Sequence, residues 1–261
     1  MSTWTRKPMI ADARKRWAIY IGVVVYLVWA LSSIDLDIQR LMEGLVRAQD
    51  FFAAALQPDF ITRSNDIWHG FLESLTMTVV ATTVGIAFSI PLGLGAASNL
   101  AIRPVYLACR SILALARAFH AIILAVLFVA MFGFGPFAGF VTLVVATIGF
   151  LGKLIAEDIE AINWSTVEAI EATGASWTQK VIYGVAPQIM PRFIGLSLYR
   201  LDINFRESAI IGIVGAGGIG ATLTTAFERY EFDSVAAILL LIIGTVYAFE
   251  YISSAIRSRV L

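Results

Sequence analysis

Long stretches without a charged residue constrain this chain more than any other feature of its sequence. Residues 17–34 and 74–102 carry no charge, and His120 is the only titratable side chain within residues 118–152. A helix needs roughly 20 apolar residues to cross a bilayer, because lipid offers the backbone no hydrogen-bond partner. Of the whole chain, 59% is hydrophobic and 15% is charged, whereas soluble domains carry about a quarter charged residues. The sequence therefore predicts an all-α membrane protein.

Six transmembrane helices are predicted from these stretches. They cover about 17–35, 70–98, 108–132, 137–156, 192–214 and 233–255. The third and fourth are separated at residues 133–136, Gly-Phe-Gly-Pro, because proline cannot continue a helical hydrogen-bond ladder. The first apolar run lacks a small-residue cleavage site, so it is interpreted as a retained anchor rather than a signal peptide. The implied division is a cytoplasmic segment 1–16, the first helix 17–35, an outer-face helix and loop 36–69, a core 70–256 of five transmembrane helices that includes the loop 157–191, and a cytoplasmic tail 257–261.

Basic residues set the expected orientation. With the N-terminus inside, the cytoplasmic flanks of the helices hold twelve Lys and Arg residues and the opposite flanks hold four. Because positive residues accumulate on the cytoplasmic side, both termini are expected in the cytoplasm. On the outer side, apolar residues recur at helical spacing over 36–57 with charges between them, which predicts a helix. This helix either lies in the membrane interface or packs outside the membrane on the other helices, and the pattern does not choose.

One cytoplasmic loop, residues 156–191, is long and unusually patterned. Glu168 and Glu171 stand among small alanines ahead of Gly174. Such a run predicts a short helix with a closely approachable surface, which ends where glycine adopts left-handed geometry. Pro187 is then expected to stop the following segment before the fifth transmembrane helix. From the residues alone, the helix is either a docking site for a cytoplasmic partner or a plain solvated loop helix.

The loop resembles the "EAA" loop of ABC-type importer permeases, whose pattern is E-A-A-x3-G-x9-I-x-L-P. The residues in register are Glu168, Ala169, Gly174 and Pro187, and the residues that depart by substitutions of modest size are Ile170, Gly184 and Ala186. A nearer resemblance, over about residues 113–256, is to the permease subunit of phosphonate importers. The segments that carry it are 132–139, 149–154, 171–175, 183–188 and 212–220. One departure is His120-Ala121, where many such permeases carry an acidic residue, and it leaves the substrate preference open.

This resemblance implies a type I ABC importer permease fold, a homodimer with a second copy of the chain, and a place in the bacterial inner membrane among its lipids. It also implies inward passage of phosphonate, phosphite or hypophosphite by alternating access. Two cytoplasmic ATPase subunits would use ATP and Mg, and an extracytoplasmic solute-binding protein would deliver the anion. The chain itself would bind no cofactor, metal or nucleic acid. The residues implied to couple it to the ATPase are Glu168, Ala169, Glu171, Gly174, Ala175 and Pro187.

Residues 215–220 satisfy the G-x-G-x-x-G pattern of dinucleotide-binding turns. That motif belongs after a strand and needs an acidic residue about 20 positions later, whereas these glycines follow a predicted span and residue 240 is leucine. The nucleotide interpretation is therefore set aside. Two interpretations remain. The glycines permit tight turns and close helix contacts, or, as the resemblance to importer permeases implies, Gly215, Gly217 and Gly218 form a gate or an anion-facing loop, whose exposed N–H groups would attract an anion.

Charged residues in the fifth span are the main candidates for a substrate pathway. A charge at mid-bilayer costs roughly 2.5–3.5 kcal/mol on insertion scales, so such residues usually form pairs or face a cavity. Asp202 precedes Arg206 by one helical turn and can neutralise it. Arg200 shares another face with Glu207. The alternatives are two structural ion pairs, or a pathway in which Arg206, with Asn204, attracts an oxyanion through its planar donor fork.

Two further candidates, Arg117 and His120, are one turn apart in the predicted third span. They line the inner half of the same pathway, or else Arg117 reaches the interface and His120 is a satisfied core histidine.

Two other functional classes fit the sequence less well. No G-x-x-x-x-G-K-[ST] phosphate-binding loop occurs in the chain, so ATP hydrolysis would need a separate subunit. A membrane enzyme is disfavoured, because two distant histidines, one cysteine and no paired carboxylates within a span give no catalytic constellation. A gradient-driven secondary anion transporter would keep the six helices and the intramembrane charges, but it leaves the patterned loop without a role.

Overall fold

The computed structural model describes residues 12–33 and 37–260, and every regular element within those ranges is helical. The all-α prediction is therefore confirmed for this part of the chain. Predictions that fall partly outside the described residues are those for 1–16, 17–35, 36–69 and 257–261.

The described helices account for the predicted spans. In chain order they are α1 (Ala13–Ser32), α2 (Ile38–Ala55), α3 (Ser64–Gly95), α4 (Arg103–Ala116), α5 (Ala121–Phe132), α6 (Pro136–Ala161), α7 (Trp164–Glu171), α8 (Trp177–Gln179), a π-helical turn (Lys180–Val185), α9 (Ala186–Ile213), α10 (Ile219–Glu228) and α11 (Phe232–Val260). Five helical stretches among the described residues are long and apolar enough to cross a membrane: α1, α3, α6, the run from α8 to α9, and α11. The bent pair of α4 and α5 makes a sixth if it is counted as one span.

The chain divides into two compact units, residues 1–52 and 53–261. In the first unit, α1 begins after Asp12, whose carboxylate accepts a hydrogen bond from the Arg14 N–H at 3.0 Å. A side chain at this position satisfies one of the free N–H groups at a helix start. The apolar helix that follows is the first predicted span.

The amphipathic pattern over 36–57 does form a helix. α2 covers Ile38–Ala55, and its polar side carries Glu43 and Arg47, one turn apart and 3.5 Å from each other. The prediction of a helix is therefore confirmed, while its place in the membrane interface stays a prediction.

In the second unit, α3 and α6 pack closely and run in the same direction. A Cβ atom at Gly85 would lie 2.5 Å from Thr147, and a Cβ atom at Gly93 would lie 2.6 Å from Ile155. Both contacts join residues with the same separation in sequence, which is what two parallel helices produce. The chain must return to the starting end between α3 and α6, so α4 and α5 together make that return. For this reason the bent pair counts as one span.

We call the end of this unit that carries residues 157–191 the loop end, and the end that carries residues 215–218 the glycine-rich end. α3 and α6 both run from the glycine-rich end to the loop end, and α9 runs back. α11 starts beside the start of α3, where the Asp59 N–H donates to the Asp233 carbonyl at 3.2 Å. Further along, the Phe249 ring of α11 lies edge-on to Phe205 of α9, with their centres 5.4 Å apart.

The returning segment is not one straight helix. α4 and α5 are bent by 89° at residues 117–120, whereas a single span over 108–132 was predicted. His120 begins α5, where its ring nitrogen accepts a hydrogen bond from the Ile122 N–H at 3.5 Å. A side chain that bonds nearby backbone favours a new helix start over continuation of the old ladder. Apolar composition does not reveal such a bend, because the residues on both sides of it are apolar.

The segment before the fifth span does not stop at Pro187. Helical structure runs without a break from Trp177 to Ile213, through the π-helical turn. Because this wider turn ends directly before α9, Pro187 falls where the helical hydrogen-bond ladder is already irregular, and a proline that cannot donate an N–H is accommodated there without ending the helix. The prediction that Pro187 ends the segment is wrong for this reason, and the helix predicted over 192–214 begins earlier.

Candidate functional site

A short helix at the loop end carries the residues expected to couple the chain to an ATPase. α7 begins after Asn163, whose side-chain oxygen accepts a hydrogen bond from the Ser165 N–H at 3.2 Å. It ends at Glu171, and Gly174 follows with a φ of +83°, a geometry that glycine adopts at little cost. The prediction of a short helix closed by glycine is confirmed.

α7 has one buried side and one exposed side. Val167 is fully buried and packs with Val185 in the core of the loop end. A Cβ atom at Gly184 would lie 3.4 Å from Ile170, so glycine at this departure from the family pattern lets the π-helical turn pass close to α7. The exposed members of the predicted coupling set are Glu168, Ala169, Glu171, Gly174 and Pro187, and the half-buried member is Ala175.

Polar side chains fix α7 to the start of the long helix that follows. Lys180 forms an ion pair with Glu171 at 2.8 Å. The Asn163 N–H donates to the Gln188 side-chain oxygen at 3.0 Å, and the Gln188 amide donates back to the Asn163 carbonyl at 3.3 Å. Lys180 and Gln188 were not among the predicted coupling residues, because their partners are known only once the loop has folded.

At the glycine-rich end, hydrogen bonds from α3 hold the loop 215–218. The Gly218 N–H donates to Glu73 Oε1 at 2.8 Å, and the Ile219 N–H donates to Ser74 Oγ at 2.9 Å. Both donors stand at the start of α10, where backbone N–H groups lack helical partners and attract anions. The chain's own carboxylate therefore occupies the position that an external anion would take. Neither Glu73 nor Ser74 was identified from the sequence.

The predicted glycines have left-handed backbone and little room for a side chain. The φ angles of Gly215, Gly217 and Gly218 are +91°, +77° and +72°. A Cβ atom at Gly217 would lie 2.5 Å from Glu73 Oε1 and 2.8 Å from the Pro136 backbone nitrogen. This geometry favours the interpretation of tight turns and close contacts, and an anion-facing role for these glycines stays a prediction.

The charged residues of α9 form both predicted ion pairs. Arg200 lies 2.9 Å from Glu207, and Arg206 contacts Asp202 one turn away. Arg200 is buried, whereas 49% of the Arg206 side chain is exposed. The structural ion pairs of the first alternative are thus present. The exposed part of Arg206 is the feature that the pathway alternative requires.

Asn204 lies inside the helix packing. It is fully buried, and its amide donates to Thr82 Oγ1 at 2.7 Å and to Thr147 Oγ1 at 2.9 Å. Arg200 Nε donates to the same Thr147 hydroxyl at 3.3 Å. These bonds join α9 to both α3 and α6, which is a structural role. Contact between Asn204 and a transported anion stays a prediction.

Arg117 and His120 lie at the bend between α4 and α5, which corrects the expectation that they stand one turn apart in a single straight helix. Both side chains are exposed. Arg117, with Arg110 and Lys153, lines a cavity of about 170 Å³ near the loop end. The glycine loop lines a different cavity of about 280 Å³ at the opposite end. The structure therefore does not gather the predicted pathway residues into one site.

Comparison with known proteins identifies relatives along the whole chain. Residues 89–260 match the family model described as "Binding-protein-dependent transport system inner membrane component". The chain is 41% identical to the phosphate-import permease protein PhnE of Mycolicibacterium smegmatis over 98% of its own length, and it spans 48%, about half, of that relative. It is 34% identical to the phosphite transport system permease protein PtxC of Stutzerimonas stutzeri, over 93% of this chain and 87% of that one.

A solved structure shows the same fold. The chain matches the MetNI methionine ABC transporter in an inward-facing conformation with a TM-score of 0.69 and 24% identity, over 77% of this chain and 100% of that one. At this identity the similarity concerns the fold alone, and it confirms the predicted type I importer permease fold. Because the family model covers most of the sequence, the chain belongs to the binding-protein-dependent transport system inner membrane components, the permease subunits of ABC importers.

Proposed function

We propose that the chain is the transmembrane permease subunit of an ATP-binding-cassette importer that moves phosphonate, phosphite or hypophosphite inward. Two copies of the chain form the passage, two cytoplasmic ATPase subunits drive it with ATP and Mg, and an extracytoplasmic solute-binding protein delivers the anion. Family membership supports the permease role. The names of the two relatives, which concern phosphate and phosphite, support the class of substrate.

The observation that carries the proposal is the exposed side of α7. Its buried side is anchored by Val167, and the Glu171–Lys180 ion pair ties it to the helical run that becomes α9. A force on the exposed residues of α7 therefore reaches a membrane-crossing helix. Conformational change needs a partner that binds the two states differently, and ATPase subunits that close together on ATP supply that difference. In this proposal the loop end and both termini face the cytoplasm.

Replacement of Gly174 by Asp tests the docking role of α7. Gly174 is exposed, and a Cβ atom added to it would meet no other atom within 4 Å. Asp also tolerates left-handed backbone better than most residues. The control is Gly44→Asp in α2, which adds the same charge at an exposed position where a Cβ atom would also meet no other atom within 4 Å. We expect Gly174→Asp to lose the co-purifying ATPase and Gly44→Asp to retain it.

Two outcomes would count against the proposal. Normal ATPase binding by Gly174→Asp, together with normal stimulation of hydrolysis by the solute-binding protein, would remove α7 as the coupling element. Undiminished anion uptake in cells that lack the ATPase would favour a gradient-driven transporter instead. Binding affinities of the solute-binding protein for phosphonate, phosphite and phosphate would then identify which oxyanion is delivered.

A further inference from the structure

A basic cavity lies between α4 and α6 near the loop end, and neither the family match nor the coupling helix explains it. Its volume is about 170 Å³, which accommodates a tetrahedral oxyanion. The residues that line it are Arg110, Leu113, Ala114, Arg117, Lys153 and Ala156. Among these lining residues three are cationic and none is acidic.

Glycines on α6 let side chains from α4 and the residue that follows it pack directly against the α6 backbone beside the cavity. A Cβ atom at Gly149 would lie 2.7 Å from Cγ of Arg117, and a Cβ atom at Gly152 would lie 2.6 Å from Leu113. The aliphatic stem of Arg117 therefore rests directly on the α6 backbone. Lys153 is one turn beyond Gly149 on the same face of α6, so its ammonium group approaches the cavity that Arg117 lines.

The cations of the cavity are not equally neutralised. Arg110 lies 2.9 Å from Glu160, and Lys153 lies 3.1 Å from Glu157. Arg117 forms no ion pair with any residue that the structure describes. The cavity therefore has one more positive charge than the described residues balance.

A purely structural role for Arg117 is possible, but it explains fewer of the observed features than anion binding does. A cation at the C-terminal end of a helix interacts favourably with the helix dipole, and Arg117 directly follows α4. A cation that merely extends to the interface would also lay its stem on apolar surface, so the contact of the Arg117 stem with Gly149 fits either explanation. Neither the helix dipole nor the interface accounts for the two further cations that share one cavity with Arg117.

We propose that Arg117, with Lys153 and Arg110, binds a tetrahedral phosphorus oxyanion group in this cavity. Guanidinium offers a planar donor fork that matches two oxygens of such a group, and ammonium adds a point charge. The group belongs either to the transported oxyanion on its way out at the loop end or to the headgroup of an anionic phospholipid. The first source rests on the proposed function, whereas the second does not.

Thermal unfolding of the purified full chain in detergent tests the site without ATP or a partner. Sodium phosphite is compared with sodium chloride at equal ionic strength, and short-chain phosphatidylglycerol is compared with short-chain phosphatidylcholine. The variants are Arg117→Gln and Lys153→Gln, which reach the cavity from different helices. The control is Arg103→Gln, an exposed arginine at the start of α4 that does not line the cavity.

We expect the anion to raise the Tm of the unmodified chain and of Arg103→Gln by at least about 2 °C, and to raise the Tm of both cavity variants by less than half as much. A rise with phosphite identifies the transported oxyanion as a ligand, and a rise with phosphatidylglycerol alone identifies the lipid. The proposal is overturned if neither anion raises the Tm, or if Arg117→Gln and Lys153→Gln respond as fully as Arg103→Gln. If neither anion raises the Tm but the complete transporter still takes up the anion with ATP, the proposed site is wrong and the proposed function is unaffected.

Discussion

The two ends of the second unit both offer groups that attract anions, but they differ in what occupies those groups. At the glycine-rich end, Glu73 of α3 accepts a hydrogen bond from the Gly218 N–H, so a carboxylate of the chain already fills the position. At the loop end, Arg117 lines an open cavity and has no acidic partner among the described residues. A polar group satisfied within the chain stabilises the fold, whereas one left over remains available to a ligand.

This difference changes which region deserves the functional interpretation. The glycine string resembles a phosphate-binding motif, yet its geometry is that of a junction between α3 and α10. The cavity at the loop end has no recognisable motif, and it is formed by residues from two helices that are distant in sequence. The glycine motif therefore marks positions where the backbone needs glycine, and the unpaired positive charge at the loop end marks the candidate binding site.

Substitution of Gly218 should have the largest effect and tests whether the glycine-rich end is a structural junction. Gly218 has φ 72° and ψ −168°, a region that essentially only glycine occupies, at a cost to other residues of about 1–3 kcal/mol. Its Cβ atom would also collide with Ser74 Oγ, and overpacking adds about 1–3 kcal/mol. We expect Gly218→Ala to reduce the yield and Tm of the purified protein strongly. The control Gly244→Ala, which meets no atom within 4 Å, should leave both unchanged.

Replacement of Glu73 tests the claim that its carboxylate stands in for an anion. Glu73→Ala leaves the Gly218 N–H without its partner, and loss of a hydrogen bond to a charged group costs about 1.5–3 kcal/mol. Glu73→Gln keeps an acceptor oxygen and should retain most of the Tm. Added phosphite should raise the Tm of Glu73→Ala by more than it raises the Tm of the unmodified chain or of Glu73→Gln, because in Glu73→Ala it also refills the emptied position. An unchanged Tm in Glu73→Ala would mean that the two ends do not differ in the way described.

Replacement of Arg206 compares a cation that is already paired with one that is not. A charged contact to a substrate anion is worth about 1.5–3 kcal/mol, or roughly tenfold or more in rate. Because Asp202 neutralises Arg206, we expect Arg206→Ala to cut anion uptake by roughly tenfold and by less than Arg117→Gln, with normal assembly in both. Uptake that is unaffected by Arg206→Ala at normal expression would remove Arg206 from the pathway.

Removal of one acidic partner at the loop end should have the smallest effect on stability and a revealing effect on binding. Both members of the Arg110–Glu160 pair are partly exposed, and such pairs contribute about 1 kcal/mol or less. Glu160→Gln frees the charge of Arg110, so phosphite should protect the chain at a several-fold lower concentration. The control Glu43→Gln removes the acid of a surface pair in α2 and should leave the phosphite response unchanged. A weaker response in Glu160→Gln would contradict the inference from charge balance.

Helix positions were largely predictable, and the interruptions within helices were not. The short helix α7 and the glycine that closes it were predictable because Glu168, Glu171 and Gly174 form a local pattern that local backbone preferences follow. The bend at His120 and the position of Pro187 were missed for a common reason. Each depends on whether the backbone hydrogen bonds of one helix continue or are interrupted over two turns. The apolar composition of the segment is the same in both cases.

The candidate site was predictable only in part. Arg206 and Asp202 were recognised as a pair because four residues separate them on one helix. Arg117 was identified as a charge in an apolar stretch, but its companion Lys153 was not, because α4 and α6 are separated in sequence and come into contact only in the folded chain. Glu73 was missed because its partner, the Gly218 N–H, is 145 residues away in sequence.

The sequence by itself determined that this chain spans a membrane, roughly which segments are apolar enough to cross it, and that α7 is closed by a glycine. Those features follow from apolar length and from contacts within one or two helical turns. Only the tertiary structure decided which charged and polar groups neutralise one another and which are left over. That balance depends on distances between helices far apart in the chain, and it separates the filled glycine-rich end from the open cavity at the loop end.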